Sequence, residues 1–190
     1  MNTAPHHLQQ LLETYTPTDP REAEHRERML TLLQDTNAPF SRDQFSPGHF
    51  TASSFVLSPD GRQVLLIFHG KLHRWLQPGG HVDPADESIH HAARREVAEE
   101  TGIATLSPAW AGEGIFDVDV HRIPARKADP DHFHFDVRFL FQAPDLTCKA
   151  GSDATGAQWV DLSKVATLES DDSVMRAIQK LSRPREEAGS

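Results

Sequence analysis

The chain predicts an α/β sandwich. Helical spacing marks both ends of the chain and one acidic segment near its middle. Between these lie runs with the two-residue alternation of strands, including a hairpin signal. Helical and strand segments interleaved in this way give a mixed sheet with helices on both sides.

Residues 6–15, HHLQQLLETY, place Leu8, Leu11, Leu12 and Tyr15 at helical spacing, and Pro17 breaks the pattern. Asp19-Pro20 reads as a second helix start, a capping carboxylate followed by proline at the first helical position. That helix runs to about Gln34, with Ala23, Leu30 and Leu33 expected inward, and Asn37 and Pro39 end it. Residues 1–45 thus form an N-terminal helical extension, a packing or homodimer element rather than a catalytic one. The stretches 50–58 and 62–70 flank Pro59-Asp60-Gly61 and predict a β-hairpin. A strand around 72–76 leads into Gly79-Gly80, and an acidic helix follows, closed by Gly102. Strands are expected around 113–123, 132–142 and 156–160, then helices at about 162–168 and 172–182. The main domain therefore spans 46–183, and 184–190 is a flexible tail.

Composition narrows the function. Nineteen basic residues against 28 acidic ones give a formal charge of −9. This argues against a broad nucleic-acid footprint, which needs clustered Lys and Arg. It leaves room for nucleotides bound through a cation, which reverses the local sign. The single cysteine, Cys148, excludes an intrachain disulfide and a Cys-rich zinc site. The longest apolar run, VLLIF at 64–68, is too short to span a bilayer, and the N-terminus lacks a signal-peptide pattern. A soluble cytoplasmic protein is the expectation.

The acidic helix carries the chemistry. It is expected from about Ser88, a capping residue, to Thr101, with Gly102 in the left-handed position beyond its end. At 100° per residue, Ile89, Ala92 and Ala93 share a face with Glu96, Glu99 and Glu100. An ordinary Glu-rich surface would lie opposite the apolar stripe, whereas here three carboxylates continue it. Their mutual repulsion calls for a compensating charge. Arg95 can balance one, and a hard divalent cation two or more, with oxygen ligands of the kind Mg²⁺ prefers. Gly79-Gly80 lets the backbone approach closely and turns a carbonyl or amide toward a ligand, which makes Gly80 a candidate substrate contact.

Gly80, a following carboxylate, and then Arg95-Glu96-Val97-x-Glu99-Glu100-x-Gly102-Ile103 resemble the Nudix box. The resemblance covers about 24 of 190 residues, and the passage Trp159-Val160-Asp161-Leu162 fits the same superfamily. It implies a Nudix-type α/β/α sandwich and Mg²⁺- (or Mn²⁺-) dependent hydrolysis of a diphosphate linkage in a nucleoside diphosphate attached to another group. By the same resemblance, Glu99, Glu100 and the Gly79 carbonyl would be metal ligands. Glu96 would be a further ligand or the general base, and Arg95 would orient a carboxylate. The box carries one extra residue. Counting forward from Gly80 selects Asp86 as that carboxylate, and counting back from Arg95 selects Glu87. Helical register with Arg95 favours Glu87.

Further candidates lie outside the box. The same resemblance implies a late catalytic carboxylate before the Trp159 strand, for which Asp153, six residues before Trp159, is the positional candidate, and it also suits a turn. Glu113 is a weaker alternative. In strand spacing Asp117, Asp119 and His121 share one face, and His132, His134, Asp136 and Arg138 share one on the return strand. This polar face reads either as solvated or as a substrate pocket or second metal site, with Arg122, Arg126 and Lys127 of the connecting loop able to reach a phosphate. The remaining His6, His7, His90 and His91 are expected at the surface, and Cys148 inert. Other functions on the same fold are a non-catalytic nucleotide-binding regulator, against which the intact Glu96, Glu99 and Glu100 argue; an isoprenoid diphosphate isomerase, which relies on a well-placed cysteine; and an RNA-end pyrophosphohydrolase, disfavoured by charge.

Overall fold

The longest strand pairing in a computed structural model of the chain is parallel and non-local. β1 (Gly48–Leu57) runs alongside β7 (His132–Gln142), in register from Gly48 opposite Phe133 to Leu57 opposite Gln142. The structure describes residues 4–109, 112–126, 128–150 and 154–182. The expected hairpin forms only at its turn, where Leu57 of β1 faces Val64 of β2 (Gln63–His69). Beyond it the strands part. β2 takes β3 (Arg74–Leu76) on one side and β8 (Ala154–Asp161) on the other. The outer edge of β1 takes the short β4 (Gly79–His81). β7 is completed by β6 (Asp117–Ile123) and the two-residue β5 (Ser107–Pro108).

Alternation along β1 and β7 splits the core in two. Phe50, Ala52, Phe135, Val137 and Phe139 face Ile89, Ala92, Ala93 and Val97 of α3 (Ile89–Thr101), together with Leu8 and Leu12 of α1 (Ala4–Thr14) and Met29 and Leu32 of α2 (Pro20–Asp35). On the opposite face Phe55, Leu57 and Leu140 pack with Val165 of a 3-10 helix (Leu162–Thr167) and with Val174, Ala177 and Ile178 of α4 (Asp172–Ser182). Helices on both faces give the expected α/β/α layering.

α2 begins as predicted. Asp19 accepts from the Arg21 and Glu22 N–H groups at 2.8 and 3.0 Å, and Pro20 opens the helix. Its inward face is rotated from the expectation. Ala23 is exposed, and Glu22, Met29 and Leu32 are buried. Glu22 goes inside because its charge is met there. It accepts from the Tyr15 hydroxyl at 2.6 Å, the Thr18 N–H at 2.7 Å and Lys180 of α4 at 3.2 Å. His25 of α2 caps the open edge of β6 by accepting from the Val120 N–H at 3.2 Å.

The polar sheet face meets itself as the alternation predicted. Asp117 lies opposite Arg138, Asp119 opposite Asp136 and His121 opposite His134. Its acidic half is neither solvated nor a pocket. Arg138, 2% exposed, reaches Asp136 at 2.8 Å, Asp117 at 3.1 Å and the Ser173 hydroxyl of α4 at 2.9 Å. Arg176 of α4 adds a 2.8 Å contact to Asp117. α4 roofs this end and turns it into a buried ionic network.

Candidate active site

α3 is capped as its ends require. Ser88 accepts from the His91 N–H at 3.1 Å, and Gly102 sits at φ 73° in the left-handed region. Its buried stripe follows i, i+4 steps through Ile89, Ala93, Val97 and Thr101. That drift leaves Glu96 and Glu100 half-buried at the edge of the stripe. Glu99 departs from the expected inward face, with its side chain 57% exposed.

The glycine strand seats two of these carboxylates. A Cβ added at Gly80 would lie 2.7 Å from the carboxylate carbon and both oxygens of Glu96. Only glycine lets the side chain press onto the backbone there. Glu100 accepts from the Gly79 N–H at 2.9 Å. A Cβ at Gly79 would point the other way, 2.3 Å from the Ser53 Cβ. β4 is thus a thin wall with α3 on one side and the polar sheet face on the other.

Arg95 is the hub. Its Nη1 donates to Glu96 at 2.8 Å and Glu99 at 3.1 Å, and its Nη2 donates to the His81 carbonyl at 2.8 Å. Its remaining donors meet Asp86, from Nη2 at 2.9 Å and Nε at 3.1 Å. The expectation for Glu87 is overturned. Glu87 is exposed, whereas the Asp86 side chain is 2% exposed and also accepts from the Asp83 N–H at 2.8 Å. Asp86 precedes the cap, where the chain is not yet helical, so helical register does not apply to it. The loop geometry counted from Gly80 is kept, and the extra residue falls between Asp86 and the helix.

The electrostatics are uneven. Burial alone would raise the Asp86 carboxyl, but the bonds from Arg95 and Asp83 outweigh it and hold the group below its usual range. Burial pushes Glu96 up, against the pull of Arg95. One guanidinium thus serves four carboxylates, counting Asp83 at 3.8 Å, and leaves the group short of positive charge. A donor set of carboxylates beside a turned glycine backbone fits a hard divalent cation.

The other expected residues are dispersed. Asp136 is closed to substrate. It is 4% exposed and accepts from Thr51 at 3.1 Å, Ser53 at 2.8 Å and Arg138. Arg126 shares a surface depression with Lys71, Ala128 and Asp129, and no histidine lines it. His121 is half-exposed, while His132 is buried. Asp153 and Lys127 lie outside the described residues, and Glu113 is exposed. Burial pushes the Cys148 thiol up, as an inert cysteine requires. His90 is not a surface residue; it packs edge-on to Phe139 and Phe141 at 4.9 and 5.1 Å. Two residues were missed. His49 and His81 join the histidine end of the polar face, their rings 5.2 Å apart. For His49 the signal was present in its alternation with Thr51 and Ser53.

Comparison with known proteins identifies the family. A family model described as the NUDIX domain matches residues 47–179. The chain is 32% identical over 112 residues to a Bacillus subtilis (strain 168) protein named "Putative 8-oxo-dGTP diphosphatase", covering 58% of this chain and 66% of that one. It is 36% identical over 83 residues to an RNA pyrophosphohydrolase of Caulobacter vibrioides, covering 40% of this chain and 44% of that one. The chain thus spans less than two thirds of the length of either relative. The E. coli dihydroneopterin triphosphate pyrophosphohydrolase superposes with a TM-score of 0.55 at 20% identity, over 69% of this chain and 92% of that one. A C. elegans Ap4A hydrolase superposes at 0.50 and 20% identity, over 70% and 94%. These two likenesses concern the fold. The match to the family model spans most of the chain and contains the whole Gly80–Ile103 segment, and the chain belongs to the Nudix family.

Proposed function

We propose that the protein is a Mg²⁺- or Mn²⁺-dependent pyrophosphohydrolase that cleaves a diphosphate linkage in a nucleoside diphosphate joined to another moiety. The observation that carries this reading is the seating of Glu96 on Gly80 and Glu100 on the Gly79 N–H, with Arg95 fixed behind them by Asp86. Glu99, Glu100 and the Gly79 carbonyl would hold the cation, with Glu96 as a further ligand or as the general base. When bound, the cation neutralises charge on the phosphoryl oxygens. As general base Glu96 would take a proton from the attacking water, with Arg95 keeping its carboxylate in one orientation. The water oxygen joins phosphorus as the anhydride oxygen leaves on the other phosphate. Asp153, which precedes β8 in the sequence, would be the further carboxylate of this reading. The half-exposed His121 is available to the substrate on the sheet face. The names of the relatives make 8-oxo-dGTP and RNA ends substrates to try, and the −9 charge favours the small nucleotide.

The test is a phosphate-release screen over nucleoside diphosphate derivatives and triphosphates with Mg²⁺ or Mn²⁺, comparing wild type with Glu100→Gln. At least one substrate is hydrolysed, and the variant loses about 10²-fold or more in kcat. Metal-independent turnover, or full activity in Glu100→Gln, would overturn the reading.

A further inference from the structure

Five histidines converge at the end of the polar sheet face that α4 leaves uncovered. β1 carries His49, β4 His81, β6 His121, and β7 both His132 and His134. The ring of His49 lies 5.1 Å from that of His132 and 4.9 Å from that of His134. One ligand atom from each of His49, His132 and His134 lies within 4.8 Å of the other two. None of the three belongs to the carboxylate group described above.

The ring nitrogens are assigned by their partners. His49 Nδ1 lies 3.1 Å from the Gln44 carbonyl, and His132 Nδ1 lies 2.8 Å from the Pro130 carbonyl. A carbonyl only accepts, so both Nδ1 atoms carry a proton, and in the neutral tautomer this selects the lone pair sits on Nε2. This is the arrangement that orients a metal-bound histidine, with the far nitrogen tethered to the backbone and the near one bare. His49 is 1% exposed, and its Nε2 is buried with no hydrogen-bond partner among the described residues. A buried, bare acceptor facing other imidazoles is costly unless a ligand meets it.

The charge state points the same way. Burial lowers the proton affinity of His49, His81 and His134, and neighbouring histidines lower it further for His81 and His134. Neutral rings are poor receptors for phosphate and good ligands for a borderline divalent cation.

We propose that His49, His132 and His134 form a zinc-class cation site, bound through imidazole nitrogen and separate from the carboxylate group across β4. Three ligands leave a fourth tetrahedral position open to water or to a ligand oxygen. Zn–N bonds of about 2.0–2.1 Å place tetrahedral nitrogens roughly 3.4 Å apart, so small side-chain rotations close the site. The ion would tie the parallel β1–β7 pair to the Gln44 and Pro130 backbone. The site goes beyond the proposed hydrolase activity, and its test is independent of turnover.

The test is calorimetric titration of the full chain with Zn²⁺ under excess Mg²⁺, with Co²⁺ absorption spectra in parallel. Wild type binds one equivalent and gives the intense visible bands of tetrahedral Co²⁺. His132→Gln and His134→Gln each weaken Zn²⁺ binding about 10²-fold or more, while Glu100→Gln leaves it unchanged. Absence of binding by wild type, retention in the histidine variants, or loss in Glu100→Gln would each overturn the site. If the histidine variants do not fold, X-ray absorption of Zn²⁺-loaded wild type decides. Three imidazole nitrogens in the ion's shell support the site, and an oxygen-dominated shell overturns it.

Discussion

Arg95 and Asp86 form a two-pronged ion pair, Nη2 at 2.9 Å and Nε at 3.1 Å, across the non-helical turn that precedes α3. The pair sets the direction from which Arg95 reaches Glu96 and Glu99. Asp86→Asn removes the charge that fixes the guanidinium. The expected result is a loss of roughly 1–3 kcal/mol of stability and a fall in kcat/KM of about tenfold or more. Glu87→Gln, one residue on and exposed, stays within about ±0.5 kcal/mol and keeps its activity. Denaturant melts and steady-state kinetics on the two variants separate the neighbours. Equal effects would show that Asp86 has no special role.

Gly79 and Gly80 are adjacent and are expected to fail in different ways. A Cβ at Gly79 meets the Ser53 Cβ at 2.3 Å, the Ser53 Cα at 2.7 Å and the Ala52 carbonyl at 2.8 Å. Backbone does not yield, so Gly79→Ala costs about 2 kcal/mol or more. At Gly80 the three atoms nearest the Cβ all belong to the far end of the Glu96 side chain, which can swing away. Gly80→Ala therefore keeps a near-normal Tm and loses most turnover, because Glu96 is displaced. A thermal scan and one kcat for each variant check both halves.

Local signals made much of this legible. Ser88 and Gly102 bounded α3, Asp19-Pro20 started α2, and period-two alternation found the polar face. Two kinds of error came from elsewhere. Helical geometry was extended to Glu87, although the chain there has not entered the helix. The hairpin was read from its turn, which formed, but the partners of its strands lie in β7 and β8, more than 70 residues away for β1 and over 80 for β2. The content of the polar face depended on Ser173 and Arg176, which arrive from α4 and make burial of Asp117 and Asp136 tolerable. Nothing in the β6 and β7 sequences announces that roof.

Arg138 is the most buried cation of that network and faces Asp117, Asp119 and Asp136 at 3.1, 3.4 and 2.8 Å. Arg138→Met keeps much of the volume and takes from three buried carboxylates the cation they share, leaving Arg176 on Asp117 and Asp119 and His121 on Asp119. The expected loss is about 3–5 kcal/mol. The double variant Arg138→Met/Asp136→Asn recovers part of it by removing one stranded charge. Chemical denaturation of the two variants checks the order. A single variant as stable as wild type would mean that the network carries little net stability.

Acid should act through Glu22. Burial alone would raise its carboxyl, but the Tyr15 hydroxyl, the Thr18 N–H and Lys180 outweigh this and bring it from 4.5 down to about 2. A folded value below the unfolded one means that the unfolded chain binds the proton more readily. The contribution of Glu22 is therefore complete above pH 4.5 and is lost as the pH falls toward 2. Asp117 runs the other way: burial raises it to about 6 against the attraction of Arg138 and Arg176. Its preference for the folded state is present below its ordinary 3.8 and is lost as the pH climbs through 6. Between pH 4.5 and 6, stability therefore follows Asp117, and below about 3.8 it follows Glu22. Glu22→Gln should lower stability at neutral pH by about 1–2 kcal/mol. It should also flatten the acid limb below pH 4.5 while leaving the slope near pH 6 in place. Denaturation midpoints taken every half unit from pH 2.5 to 7 would show this, and an unchanged acid limb in Glu22→Gln would assign the acid loss to other carboxylates.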